Sequence, residues 1–248
     1  MKKIMLFIFV LAVPSFLAAS GDFSLWGGYS YSSLGNQNSK LLQNYNNNVT
    51  RNSLTRMGGG ITAGLDGAYW YYSWWGIGGR TSYTGLFEGS ESGTPLLGLP
   101  ESTRIGGSLF QFLAGVPLLF EFFDGKISVG GGIYAGWGYA DTRTTVTVGT
   151  ESGMFEAGGN SFVFETPLRV TWHISSSFLL DLDVSWKSAN SGNLSVNKIS
   201  GSAAKFFSIG QKLGYGADFS GVMAGLGFNW RFSSHDWPWY KKKWAINE

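Results

Sequence analysis

The run Val222-Met-Ala-Gly-Leu-Gly-Phe-Asn-Trp-Arg-Phe232 places large or apolar residues at every even position, between Met223, Gly225, Gly227, Asn229 and Arg231. Successive strand residues point to opposite faces, so this strand has one greasy face and one small or polar face. Such a strand fits a wall between lipid and a polar lumen. The same period recurs in Ile127, Val129, Ile133, Ala135, Trp137 and Tyr139, in Phe162, Phe164, Leu168, Val170 and Trp172, and in Phe178, Leu180, Leu182, Val184 and Trp186. Each run is long enough to cross a bilayer as a tilted strand.

The pattern predicts eight strands, near residues 22–31, 57–66, 74–84, 104–116, 126–140, 161–173, 178–187 and 221–232. Long polar segments (32–56, 85–103, 141–160 and 188–220) alternate with short ones (67–73, 117–125 and 174–177). That asymmetry predicts an all-β, transmembrane, antiparallel up-and-down β-barrel. Four long loops then face the cell surface, and the short turns and both chain ends face the periplasm. Aromatics gather at two heights, residues 69–75 and 120–123 beside short turns and Tyr31, Tyr83, Tyr139 and Trp186 opposite, as two interfacial girdles would require. Two places read irregularly. Leu109 and Leu113 share a face with Gln111 while Phe110 and Phe112 take the other, which suggests a bulge. Residues 206–219 alternate on the opposite parity to the last strand, so Ser220-Gly221 reads as a bulge or a turn, and ten strands remain open.

At the N-terminus, Lys2-Lys3 precede an apolar run from Ile4 to Val13 and the small residues Ala18-Ala19-Ser20-Gly21, the pattern of a cleaved signal peptide over residues 1–20. The apolar run is too short for a retained anchor, which needs about 20 residues. The chain has 19 Phe, 11 Trp and 11 Tyr beside 37 Gly, which suits interfacial aromatics and a crowded inner face. A soluble sandwich is the alternative fold, at the cost of many large aromatics facing water. There is no cysteine, so neither disulfides nor thiolate chemistry hold or serve this chain. A net charge of +2, with Lys241-Lys242-Lys243 its only basic run, does not point to nucleic acid.

The inward positions of the sixth and seventh predicted strands carry Glu165, Arg169, Thr171 and His173 against Asp181, Asp183, Ser185 and Lys187. One hairpin register sets Arg169 beside Asp183 and Glu165 beside Lys187. A basic side chain facing lipid near the midplane would cost ~2–4 kcal/mol, so these charges predict an ion-paired, largely closed polar lumen, with Arg80, Asp66 and Arg231 also facing in. Eight strands leave room for little more than side chains.

Gly227-Phe-Asn-Trp-Arg-Phe232 resembles the final-strand signal of bacterial outer-membrane barrels, and Gly115-Val-Pro-Leu-Leu-Phe-Glu-Phe-Phe-Asp-Gly-Lys-Ile-Ser-Val-Gly-Gly-Gly-Ile-Tyr-Ala-Gly136 is similar to a hairpin of such barrels. The whole mature chain resembles the small outer-membrane β-barrel family that includes the OmpA membrane domain, OmpX, the opacity proteins and OmpW. The resemblance implies location in the outer membrane, lipid as surroundings and insertion by the assembly machinery through the C-terminal strand. Functions within that family range over adhesion, serum resistance, membrane integrity and passage of small solutes.

Catalytic patterns are weak by comparison. Asp181 and Asp183 with His173 resemble the carboxylates and histidine of omptin proteases, but His173 borders a short turn while the aspartates run up the lumen. His173-Ile-Ser175 invites a histidine–serine deacylase reading, yet Ser175 belongs to a serine turn. Gly58-Gly-Gly60 and Gly130-Gly-Gly132 sit within strands rather than opening helices, so they are not dinucleotide sites. No cofactor or metal set is expected, with only His173 and His235 available. The asparagine-rich segment 35–48 suits a hydrated surface loop that could take a surface ligand. In the tail, residues 233–248, Trp237, Trp239 and Trp244 around Lys241, Lys242 and Lys243 suit an interfacial anchor on the periplasmic side. The expectation is therefore a non-enzymatic surface barrel for adhesion or membrane integrity. A narrow channel for small or hydrophobic solutes is the alternative, and a surface hydrolase the third reading.

Overall fold

The computed structural model describes residues 21–32, 59–71, 74–93, 101–123, 126–175, 177–205 and 207–232. The expected signal peptide, the asparagine-rich loop and the tail with Trp237, Trp239, Lys241, Lys242, Lys243 and Trp244 lie outside the described residues. The strands are β1 (Gly21–Ser32), β2 (Gly59–Trp70), β3 (Gly76–Gly93), β4 (Glu101–Phe122), β5 (Ile127–Val148), β6 (Glu151–His173), β7 (Phe178–Ser191), β8 (Ser195–Gly201) and β9 (Gly221–Phe232).

Neighbouring strands pair antiparallel from β1 through β7, and β9 pairs with both β7 and β1, which closes a ring of eight staves. Closure leaves no sheet edge within the ring. The register runs from Asp22 through Ala68, Gly78, Gly115, Tyr134, Glu165, Lys187 and Gly221 back to β1 at Ser32, ten residues further along. A stagger of that size tilts the strands by roughly 35–45° and leaves an interior about one side chain deep from each wall.

Alternation decides the faces. Leu25, Ile61, Phe112, Ile133, Phe162, Leu168 and Leu226 point outward and are exposed, forming an apolar belt. Tyr31, Tyr83, Tyr139 and Trp186 rim the belt at one end, and Tyr71, Trp74, Phe120 and Phe122 rim it at the other. The second rim shares its end with Gly21, Phe232 and the short turns, and is called the terminal end below; the opposite one is the loop end.

Two sequence expectations fail at the loop end. The segment 141–160 is no loop: β5 and β6 continue as one hairpin to a turn at Gly149-Thr150, where Gly149 takes a φ of 60°. The β-branched run Thr142-Arg-Thr-Thr-Val-Thr-Val148 favours strand although it is polar, and polarity was what suggested a loop. The segment 85–103 likewise shrinks to 94–100 between β3 and β4, so four long loops are not present. Of the two counts the sequence left open, eight strands close the ring among the described residues, and β8 lies outside it. Residues 207–220 form an irregular return, and β8 runs along β6 at residues 153–158, above the stretch of β6 that pairs with β7. The walls from β3 to β8 thus stand higher than β1, β2 and β9, which have 12 residues each.

The expected bulge in β4 is also absent, since β4 pairs with β5 without a break from Glu101 to Phe122. The irregularity lies in β3, between Leu86 and Gly89. Leu109, Gln111 and Leu113 all face inward and are buried, the leucines in an apolar interior and Gln111 bonded to Glu165. The same cause explains residues 217–219. Ala217 and Phe219 keep the inward parity of Met223, and Asn190–Asp218 bridges in the β7–β9 register. From Ala217 onward, what changes is the composition of the interior, not the direction of the chain.

Candidate functional site

The mid-bore is built from charged residues on four strands. Arg80 of β3, 1% exposed, donates from both terminal nitrogens to Asp183 of β7 at 3.3 and 3.2 Å. Its Nε lies 3.1 Å from Glu165 and 3.5 Å from Asp66, and its guanidinium stacks 4.4 Å over the Trp26 ring. Arg169 of β6 donates to Asp183 at 3.0 Å and to Asp66 of β2, and stands 3.6 Å from Asp181. The Trp26 indole N–H donates to Asp66 at 2.8 Å. Thr171 and Ser24 donate to Asp181 at 2.7 and 3.2 Å, and Gln111 donates to Glu165 at 2.6 Å. In a medium of low dielectric these charges persist because each is hydrogen-bonded and opposed.

Strand order shows what the contacts do. β3 and β7 lie four staves apart in a ring of eight, as do β2 and β6, so Arg80–Asp183 and Arg169–Asp66 reach across the bore. Lys187 of β7 likewise donates to Thr84 of β3 at 3.4 Å. Arg169 and Asp183 face each other in register and bond. Glu165 and Lys187 are also register partners, but Glu165 makes its ion pair with Arg80 instead. The reason is reach: the long arginine from the far wall brings a hydrogen-bonding fork to carboxylates that a neighbouring lysine would meet as a point charge. Arg231 stands apart from this cluster, bonded to Asp22 at 3.0 Å and 3.9 Å from Glu121 near the terminal end.

Above the ion network the interior is greasy, contrary to the expectation of a polar lumen throughout. Leu86, Ile105, Leu109, Leu113, Phe155, Val163, Leu194 and Phe219 pack together as one buried cluster, with Phe207, Leu213 and Tyr215 against it. The return from β8 is laced to β7: Phe219 N–H donates to Ala189 at 2.7 Å, Ser191 N–H to Ala217 at 2.9 Å, and Ala217 N–H to Ser191 Oγ at 2.7 Å. Phe219 then crosses to β4, four staves from β9, where a Cβ on Gly107 would lie 3.1 Å from its ring. Only glycine leaves that seat open without displacing the ring. Burial pushes the Tyr215 phenol in this return up to about 12.

The catalytic patterns dissolve in the geometry. His173 Nε2 lies 2.6 Å from Ser128 Oγ, which is wholly buried, while Ser175 Oγ caps its own turn by accepting from the Phe178 N–H at 3.0 Å. Asp181 and Asp183 are engaged as above. Sequence reasoning missed Gln111, Trp26 and the return through Phe219. Their signal was inward parity, but the assumption of a polar interior hid the apolar ones.

A closed ring with an apolar belt, two aromatic rims and a filled interior defines a transmembrane up-and-down β-barrel. No protein-family model and no curated protein matches the chain. Among solved structures, the outer membrane protease OmpT of Escherichia coli is similar with a TM-score of 0.49 at 10% identity, over 86% of this chain and 96% of that one. Ail, the attachment invasion locus protein of Yersinia pestis, gives 0.39 at 14% identity over 86% and 99%, and neisserial surface protein A gives 0.36 at 10% over 86% and 96%.

Proposed function

We propose that this chain is an outer-membrane barrel with a closed bore, exported by a signal over residues 1–20, which serves adhesion, surface interaction or membrane integrity through its raised loop-end wall. The reading is supported above all by one observation: the bore is spanned between opposite walls by Arg80–Asp183 and Arg169–Asp66, and higher up by Phe219 seated on Gly107. Side chains that meet from opposite walls leave a solute no straight path. The short turns at the terminal end favour its placement in the periplasm, which directs the β5–β6 hairpin outward. There Arg143 bonds Glu156 at 2.6 Å and Lys205 pairs with Glu151 at 3.2 Å, giving a polar, stiffened outer face. Engagement of Asp181, Asp183 and His173 in internal bonds favours a non-enzymatic role. In the same reading lipid surrounds the belt, β9 carries the assembly signal, and the tail with Trp237, Trp239, Trp244 and Lys241, Lys242 and Lys243 rests on the inner leaflet.

Because the chain has no cysteine, single introduced thiols test the orientation. Thr150→Cys should react with a membrane-impermeant maleimide on intact cells, and Ser175→Cys only after permeabilisation. The reverse pattern would overturn the surface reading.

A further inference from the structure

The charges inside the barrel do not balance. Among the described residues, the inward carboxylates are Asp22, Asp66, Glu121, Glu165, Asp181 and Asp183, and the inward cations are Arg80, Arg169, Lys187 and Arg231. Six acids against four bases leave two negative charges over. An interior poor in water does not hold unmatched carboxylates unaided, because each has given up its hydration. Glu121, near the terminal end, is 21% exposed, so one of the two excess charges meets solvent. The other lies deeper.

Its place is Asp181. Asp183 and Glu165 have arginine nitrogens at 3.0 and 3.1 Å, and Asp66 is bonded by Arg169. Asp181, 1% exposed, has its arginine no nearer than 3.6 Å and is held instead by neutral groups: Thr171 donates at 2.7 Å, Ser24 at 3.2 Å, and the Asn229 amide N–H also donates. The two hydroxyls give their protons to the carboxylate and keep their lone pairs. Asn229 keeps more than that. Its Oδ1 has no partner although the residue is only 4% exposed, and a buried acceptor left unmatched is costly.

These oxygens share one space. Ser24, Thr171 and Asn229 line a cavity of about 50 Å3, with Asp22 and Asp66 in the same wall. At ~10–15 Å3 each, roughly three to five waters fit there. Ser24 is the register partner of both Asn229 and Asp66, so β9, β1 and β2 present their side chains in one row, and Thr171 reaches the same carboxylate from β6. Arg169 and Arg231 also line the cavity, but they are drawn onto Asp183 and Asp66 and onto Asp22.

We propose that this cavity holds one alkali cation, sodium or potassium, beside Asp181, bound by Asn229 Oδ1 and the Ser24 and Thr171 hydroxyl oxygens, with water completing its shell. Hard cations take oxygen ligands of this kind. Among the described residues no three acidic or imidazole groups converge as a multiply charged metal would require, so the fit is to a single charge. The ion is resident: Arg80–Asp183 spans the bore above it, and it holds the wall together rather than passing through.

The test unfolds refolded residues 21–248 from phosphatidylcholine vesicles in urea, with sodium chloride against N-methylglucamine chloride of equal ionic strength, whose cation is too large for the cavity. The midpoint should rise with sodium and level off. At ten times the dissociation constant the folded-to-unfolded ratio should be about eleven-fold higher. Sodium-23 NMR reads occupancy directly, as line broadening absent from protein-free vesicles and reversed by excess potassium. Asp181→Asn removes the charge at nearly constant shape, and Asn229→Leu removes the free acceptor; each should lose the sodium dependence. If a variant fails to fold, the wild-type broadening still decides. Equal midpoints in the two salts without excess broadening would overturn the proposal, as would uptake of a proton on unbuffered refolding with no dependence on the cation. Conductance is a separate readout: openings of the wild-type barrel would count against the closed bore and leave this site to be judged by occupancy.

Discussion

The two halves of the interior solve the same problem by opposite chemistry. The mid-bore is held by charges that span from wall to wall, whereas the loop end is held by side chains that exclude water, with Phe219 reaching β4 from the far side. In the first, geometry and partner count decide stability, and a single missing partner strands a charge in low dielectric. In the second, volume decides, and a missing group leaves a void. The difference teaches that one barrel can be filled by a network that is intolerant of half-removal and by a core that degrades in proportion to what is taken out.

Arg80→Ala should produce the largest effect, since Asp183, Glu165 and Asp66 all lose a cation. A loss of about 3–5 kcal/mol is expected, read from the urea midpoint of the refolded barrel. A loss under ~1 kcal/mol would show that water replaces the guanidinium freely. Phe219→Ala should follow closely, at ~3 kcal/mol or somewhat more, by voiding the apolar half. The contrast sharpens in pairs. Arg169→Ala and Asp183→Ala together should cost less than the sum of the two single changes, because they share a bond, while Phe219→Ala and Ile105→Ala should come closer to additive by the same midpoint measurement. Equal coupling in both halves would erase the distinction.

Gly107→Ala is a finer probe, expected to cost about 1 kcal/mol because the Phe219 ring must yield by a few tenths of an ångström. Smallest is the pH response of the return segment. The Tyr215 proton is held more tightly in the folded state, up to about 12. Its contribution is therefore complete below the ordinary phenol range near ~10 and fades as pH rises from there toward about 12. The tyrosinate absorbance of wild type and Tyr215→Phe, compared over that window, checks it, and superimposable titrations would contradict it.

Much of the barrel was legible because period two is a local property. The outward residues of β5, β6 and β7 could be read strand by strand, and the Arg169–Asp183 contact followed from one hairpin. Arg80–Asp183 could not, since its partners are 103 residues apart and meet only once ring closure and stagger are known. The loop end was misread for a different reason. Parity tells which residues share a face, but not whether that face is polar, so Leu109, Leu113 and Phe219 looked like interruptions when they were filling. The β5–β6 hairpin looked like a loop because its strand formers are threonines.

The account's central claim is that these two fillings close the bore, and single-channel conductance of refolded residues 21–248 in a planar bilayer tests it most directly, with folding verified by heat-dependent gel mobility. The account predicts a silent wild-type barrel and discrete openings once Arg169→Ala, Asp183→Ala and Phe219→Ala are combined. Reproducible openings of the folded wild-type barrel would contradict it.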